Sequence, residues 1–366
     1  MSTPAPLPAP RRFTGPDAPD RSEADRCVRC GLCLPSCPTY RVTLRETSSP
    51  RGRIHLIQAV DEGRLDLLNP GFVAQMHQCL DCRACEAVCP SGVDYGHLVE
   101  AARTQITRAQ RGQLATRALT ALVRWVFGDL RRFHRVAGLV RASQRVTLPA
   151  RAPAWWPNWL RNLTQARTLL PQMPAAFVVA TGQHYGPAWE TAAKPSVALL
   201  AGCVMGTVFA PTDRATLRVL TAWGHPVTVP SGQECCGAIA THLGLPDLAR
   251  DLARRNIRAF EASGADLIVS NAAGCGAALK DYGHLLRDEP DWAERARRFS
   301  ARVRDVTELL AAGLDEEHRR RLHAVPISVT YQEPCHLAHA QRISAAPRAL
   351  LRAIPGLHMI EMEDPA

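Results

Sequence analysis

Lysine is almost missing: Lys194 and Lys280 are the only two in 366 residues, so the positive charge is carried by arginine. Aromatic residues are sparse at 5%, which leaves little material for the stacking platforms of single-strand nucleic-acid binders. Every apolar run is interrupted by arginine before reaching the ~18 residues of a spanning helix. The opening MSTPAPLPAPRRFTGPDAPD has no apolar signal core and reads as a flexible Pro/Ala-rich tail over residues 1–20. A secreted protein is therefore not expected, and a cytoplasmic one is. No Walker loop and no G-x-S-x-G occur, and Gly274-Cys275-Gly276 has Leu279 where a dinucleotide fingerprint needs its third glycine.

What is abundant is cysteine. Thirteen residues, an odd number, suit metal or redox chemistry better than a paired disulfide framework. With 46% hydrophobic residues, a chain of this length builds a sizeable core in two or three domains. Charge is uneven. Between Arg108 and Arg167 stand twelve arginines against one acid, Asp129, so this zone holds the whole excess of a chain whose net charge is +10. Such a patch attracts nucleic acid, anionic lipid or an acidic partner.

Four zones follow: the tail, 1–20; a helical 4Fe–4S ferredoxin-type domain, 21–112; an arginine-rich helical connector, 113–190; and a cysteine-rich α/β domain, 191–366. In the connector, Leu119, Leu122, Val126, Leu130 and Phe133 recur at helical spacing before a cluster of Trp155, Trp156 and Trp159. Basic amphipathic helices beside tryptophans suit an anionic membrane surface; the alternative is that the apolar positions pack on a neighbouring domain or subunit and the arginines are simply solvated. In the last zone SVALLAGC, HPVTVPSGQECC, ADLIVSNAAGC and PISVTYQEPC each read as a strand running into a cysteine loop. The intervening Asp247–Gly264 reads as a helix with Asp247 as cap and Gly264 as stop. The alternation predicts a parallel α/β sheet, with cysteines at the strand ends where ligands gather.

Two runs carry the chemistry: Cys27-x2-Cys30-x2-Cys33-x3-Cys37-Pro38 and Cys79-x2-Cys82-x2-Cys85-x3-Cys89-Pro90. This is the bacterial 4Fe–4S ligand spacing, in which the fourth cysteine of one run serves the other cluster. Cluster 1 is assigned Cys27, Cys30, Cys33 and Cys89, and cluster 2 Cys79, Cys82, Cys85 and Cys37. Structural zinc explains paired C-x-x-C hooks but not a third cysteine and a Cys-Pro ending, each twice. Ser49 and Gly63 bound a helix between the runs. Arg26, Arg29 and Arg83, in or beside the ligand loops, read either as cations that favour a reduced cluster or as solvated surface arginines. Cys203, Cys235, Cys236 and Cys275 form a candidate additional cluster site; Cys335 is unassigned. The alternative for these is buried thiols acting as small hydrophobes. His225, His242, His336 and His339 lie near these cysteines and read as supporting residues rather than ligands.

The doubled cysteine run, SSPRGRI, and then CCGAIATHLG, NAAGCGAALKDYG and PCHLAHAQ in that order resemble the glycolate oxidase (glycolate dehydrogenase) iron–sulfur subunit family. The last zone is similar to the cysteine-rich repeats of heterodisulfide reductase. The resemblance implies two [4Fe–4S] clusters, no flavin on this chain, and flavin-binding partner subunits that oxidise glycolate to glyoxylate. It also implies delivery of electrons to a quinone or other respiratory acceptor at the inner face of the cytoplasmic membrane. The chain departs from the pattern at Ala272, where the fullest repeat has a cysteine. The second repeat opens at Cys335, and its Cys-Cys-Gly falls due just beyond Ala366, so that repeat is expected to be incomplete. Iron–sulfur subunits of lactate, glycerol-3-phosphate and heterodisulfide-type oxidoreductases are the alternatives in the same class. From another class, a nucleic-acid-binding iron–sulfur protein accounts for the basic zone, but it lacks the stacking aromatics, and no nucleic-acid partner is expected.

Overall fold

In the computed structural model, residues 12–145, 155–158, 161–162, 170–188 and 194–363 are described. The first zone is helical: α1 (Arg21–Asp25), α2 (Pro38–Thr43), α3 (Pro50–Asp61), α4 (Pro70–Gln78), α5 (Ala84–Ala87) and α6 (Tyr95–Ala109). Helix α3 begins as the sequence implies. Ser49 accepts from the Gly52 amide, Pro50 occupies the first turn, and Gly63 follows the end at φ 75°. Gly52 is required for packing rather than for φ: a Cβ there would stand 1.9 Å from the Glu46 carbonyl oxygen. Ile54, Ile57 and Val60 of α3 meet Leu98, Val99, Ala102 and Ile106 of α6 in one core. Phe13 is buried in that same core, and Gln105 binds the Thr14 and Asp17 carbonyls. The free tail expected over 1–20 is thus already packed from Phe13 onward.

The connector forms α7 (Leu114–Phe127) and α8 (Leu130–Gln144), broken at Gly128 because Asp129 caps α8 through the Arg131 and Arg132 amides. The break divides the apolar series expected to form one face. Leu130 is buried and Phe127 and Phe133 pack on the α/β core, whereas Leu119 and Leu122 face solvent. Of the tryptophan cluster, Trp155 is exposed, and Trp159 lies outside the described residues.

The last zone holds a five-stranded sheet of order β1-β3-β2-β4-β5, from β1 (Gln183–Tyr185), β2 (Val197–Leu199), β3 (Val227–Val229), β4 (Leu267–Ser270) and β5 (Val303–Asp305). Strands β2 to β5 are parallel, and β1 is an antiparallel edge that the strand pattern did not anticipate. After β2 comes the single turn α9 (Val204–Thr207). Side chains alternate. Val197 and Leu199 enter the core beneath α10 (Ala210–Ala222), while Ala198 and Leu200 face the core of α12 (Pro246–Ala262) and α15 (Pro290–Arg302). Helix α12 starts at Pro246 with Leu245 at the cap, so Asp247 sits in the first turn instead of capping. Gly264 stops it as expected, at φ 66°. The fourth expected strand, Ser328–Thr330 (β6), pairs in parallel with His358–Ile360 (β7) in a separate two-stranded sheet. No described helix is long and apolar enough to cross a membrane.

Candidate metal centres

The two cysteine runs fold alike. Arg29 and Asp81, each just before the second cysteine, have φ 57° and 54°, and Gly31 and Arg83, just after it, have φ 88° and 59°. These left-handed turns curl each loop so that its thiols converge. Around one cavity of about 30 Å³ stand Cys27, Cys30, Cys33 and Cys89; around another of about 20 Å³ stand Cys37, Cys79, Cys82 and Cys85. Each cavity thus draws its fourth cysteine from the other run, and Cys85 borders both.

The surroundings suit anionic clusters. Burial pushes up the thiols of Cys33, Cys79 and Cys85, and that of Cys82 to about 11. These sulfurs will not ionise unaided near neutrality, whereas a coordinating metal deprotonates a thiol outright. Amides point at sulfur: Asp81 N lies 3.4 Å from Cys79 Sγ and Val93 N 3.5 Å from Cys89 Sγ, with Tyr95 Oη 3.6 Å from Cys79 Sγ. Arg53, only 1% exposed, lines the second cavity and donates to the Ser48 and Gln75 carbonyls. Its other terminal nitrogen, Nη2, has no acceptor among the described residues. A buried, half-partnered guanidinium beside four thiols fits an anionic group there. Arg29 and Arg51 line the first cavity and Arg83 the second, while Arg26 is held by Glu23 and the Ser91 carbonyl.

The third cysteine group gathers at the switch point of the sheet. Cys203 follows β2, Cys235 and Cys236 follow β3, and Cys275 lies in α13 (Ala273–Lys280) after β4; these three strands are adjacent. Cys203 Sγ is 3.7 Å from Cys235 Sγ, and both are buried, as is Cys236. The Cys203 thiol is pushed up by its bond to Cys235 and by burial. Asn256 Nδ2 donates to the Cys235 carbonyl and to the hydroxyl of Tyr282, the first residue of α14 (Tyr282–Leu285). That hydroxyl donates to the Cys236 carbonyl, fixing the vicinal pair. Gly237 at φ 91° then turns the chain into α11 (Ala238–His242). Ala272 caps α13 in extended conformation and brings no sulfur. Cys335 is exposed at the start of the turn His336–Ala340, which packs on α13, and its field reaches Cys82 of the second cavity.

The four histidines divide. His225 Nδ1 lies 2.9 Å from the Pro195 carbonyl, His336 Nε2 lies 3.0 Å from the Asp81 carbonyl, and burial lowers His339. His242 stands between Asp81 and Glu100. Burial lowers its pKa, but the two carboxylates outweigh this and raise it to about 9. Together with His97, whose Nε2 is 3.1 Å from both Asp281 oxygens, it joins the ferredoxin-type half to the sheet half across a cavity of about 400 Å³. Cys236 also lines this cavity. Neither Glu100 nor Asp281 stood out in the sequence, since no local spacing ties them to a partner.

Comparisons with known proteins match both cysteine-bearing regions. The family model described as "4Fe-4S dicluster domain" matches residues 23–93, and that described as "Cysteine-rich domain" matches 197–280 and 329–366. The probable glycolate oxidase iron-sulfur subunit of Bacillus subtilis (strain 168) is 38% identical, over 94% of this chain and 78% of its own length. The glycolate oxidase iron-sulfur subunit of Escherichia coli (strain K12) is 32% identical over 89% and 74%. A dihydromethanophenazine:CoB–CoM heterodisulfide reductase polypeptide of Methanosarcina acetivorans is 26% identical over 93% and 75%. No solved structure matches. With both cysteine modules present and two such relatives matched along most of their length, the chain belongs to the glycolate oxidase iron–sulfur subunit family.

Proposed function

We propose that this chain is the electron-transfer subunit of a glycolate-oxidising complex, receiving electrons from a flavin-binding partner that forms glyoxylate and passing them to a respiratory acceptor such as a quinone. The observation that carries the reading is the pair of thiol-lined cavities, one bordered by Cys27, Cys30, Cys33, Cys85 and Cys89 and the other by Cys37, Cys79, Cys82 and Cys85. Cys27, Cys30, Cys33 and Cys89 hold one [4Fe–4S] cluster, and Cys79, Cys82, Cys85 and Cys37 the other. Bound there, the clusters supply one-electron transfer. The residues of the chain set the conditions: the loop amides and Tyr95 point at sulfur, Arg53 and Arg83 offset negative charge, and the α3–α6 core excludes water. Cys203, Cys235, Cys236 and Cys275 hold a further iron–sulfur group in the same reading, supported by their burial and convergence at three strand ends. The exposed apolar and basic face of α7 suits an anionic membrane surface, near a membrane-bound acceptor.

The experiment is anaerobic purification of wild type and Cys37→Ser, with iron analysis and electron paramagnetic resonance before and after glycolate is added with the flavoprotein partner. Wild type should carry about eight irons from the two runs, plus any held by the Cys235–Cys236 region, and show two interacting reduced centres. Cys37→Ser should lose the centre built on Cys79, Cys82 and Cys85. Zinc without iron, or loss of only the Cys27 centre, would overturn the assignment. Reduction by lactate but not glycolate would move the chain to the lactate reading. That reading has support from Lactate utilization protein A of Exiguobacterium sp. (strain ATCC BAA-1283 / AT1b), 32% identical over 46% of this chain.

A further inference from the structure

Asp81, Glu100 and His242 reach one point from three elements: the loop between Cys79 and Cys82, helix α6, and the last residue of α11. His242 Nδ1 lies 3.0 Å from Asp81 Oδ2 and 3.2 Å from Glu100 Oε1. A ring N–H serves one acceptor, not two. Among the described residues Nδ1 makes no hydrogen bond of acceptable direction, and neither do the two oxygens of Asp81, a residue only 3% exposed. Leaving a buried carboxylate in that condition is costly. Donors around a shared ion at ~2.1 Å stand roughly 3.0–3.4 Å apart; both histidine–carboxylate pairs have that spacing, and all three donor atoms lie within 4.8 Å of one another. The flanking guanidiniums reach these atoms at ion-pair range only and donate no hydrogen bond to them. Arg83 is 3.7 Å from Glu100 and Arg103 3.9 Å from Asp81, and Arg103 donates instead to the Met76 and Cys79 carbonyls. Glu100 and His242 line the 400 Å³ cavity, which leaves the group an approach from solvent.

We propose that Asp81, Glu100 and His242 form a mononuclear site for a first-row divalent cation, zinc-like in its preference for one imidazole nitrogen and two carboxylate oxygens. The ion would tie the loop of the second cysteine cavity to the helix that follows Cys235 and Cys236. It goes beyond the electron-transfer reading and uses none of its thiols.

The full chain, purified anaerobically with its iron, is incubated with zinc chloride and desalted. Zinc and iron are then counted, and the zinc shell is read by X-ray absorption. The expected result is about one retained zinc with a nitrogen/oxygen shell, falling at least tenfold in His242→Ala and in Glu100→Gln while iron is unchanged. If His242→Ala also loses iron, Glu100→Gln decides. No retained zinc in wild type, a sulfur-only shell, or zinc undiminished in Glu100→Gln would overturn the proposal. Absence of iron would instead count against the electron-transfer reading.

Discussion

Asp213, on the first turn of α10, is fully buried, with Oδ1 receiving Asn271 Nδ2 at 2.8 Å and Oδ2 without a partner among the described residues. Burial pushes its carboxyl up to about 7, against the lowering by Asn271 and Arg214. The folded chain therefore holds this proton more tightly than the unfolded one. The stability it contributes is fully present below about 3.8 and is lost as pH rises toward about 7. Asp213→Asn removes the titration, so the variant should be the more stable by up to about 4 kcal/mol at pH 8. That advantage should shrink toward pH 5. Thermal midpoints of the two iron-loaded chains across this range are the measurement, and equal midpoints at pH 8 would refute the account. At the residue scale, legibility follows locality. The cysteine runs could be read because each loop's turn geometry demands its spacing. The Asp81–Glu100–His242 group and the buried Arg53 could not, because their partners meet only after α3, α6 and α11 pack.

Among the elements, α7 is the one whose packing and pattern disagree most. Leu114, Leu119, Leu122 and Trp125 are all more than half exposed, while Val123 alone on that helix is buried. The apolar period was legible as a helix, but a period does not say which face finds a neighbour. That was decided by Gly128 and Asp129, which turn α8 away and fix Arg255 to the Gly128 carbonyl. Similar limits explain β1, whose antiparallel edge pairing has no local signature, and the cap of α12, where Pro246 starts the helix one residue before the acid. The α7 face predicts co-sedimentation with anionic vesicles at low salt that weakens as salt rises. Changing Arg117 and Arg124 of α7 to glutamine should reduce binding at least tenfold, at ~1 kcal/mol per arginine near the surface. No binding of the assembled complex at low salt would leave this face as ordinary surface.

At the scale of the whole molecule, α6 is the shared wall. One side fills the ferredoxin-type core, and the other meets His242, Asp281 and the Gly244 turn, where a Cβ would approach the Arg103 carbonyl oxygen to 2.7 Å. The segment before α1 reinforces the seam, since Asp17 pairs with both Arg108 of α6 and Arg250 of α12. Burial raises the Asp17 carboxyl, but the guanidiniums outweigh this and hold it below the usual range. Asp17→Ala should therefore cost about 1–3 kcal/mol, with iron content unchanged and faster tryptic cleavage at Arg21. A midpoint within a degree of wild type would show that the clamp adds nothing. The separate halves were legible from the two kinds of cysteine motif; their docking was not, because it rests on single charged residues scattered through both.

The crossed pairing of cysteines has a consequence for how the chain is made. On the proposed assignment, a polypeptide leaving the ribosome can present no complete ligand set from its first cysteine run alone, however long it pauses after Cys37. The set containing Cys37 closes only when Cys85 emerges, and the other only with Cys89. Both vessels are thus finished within one short stretch of synthesis, and a nascent chain stalled between the runs offers the iron-delivery machinery nothing it can fill.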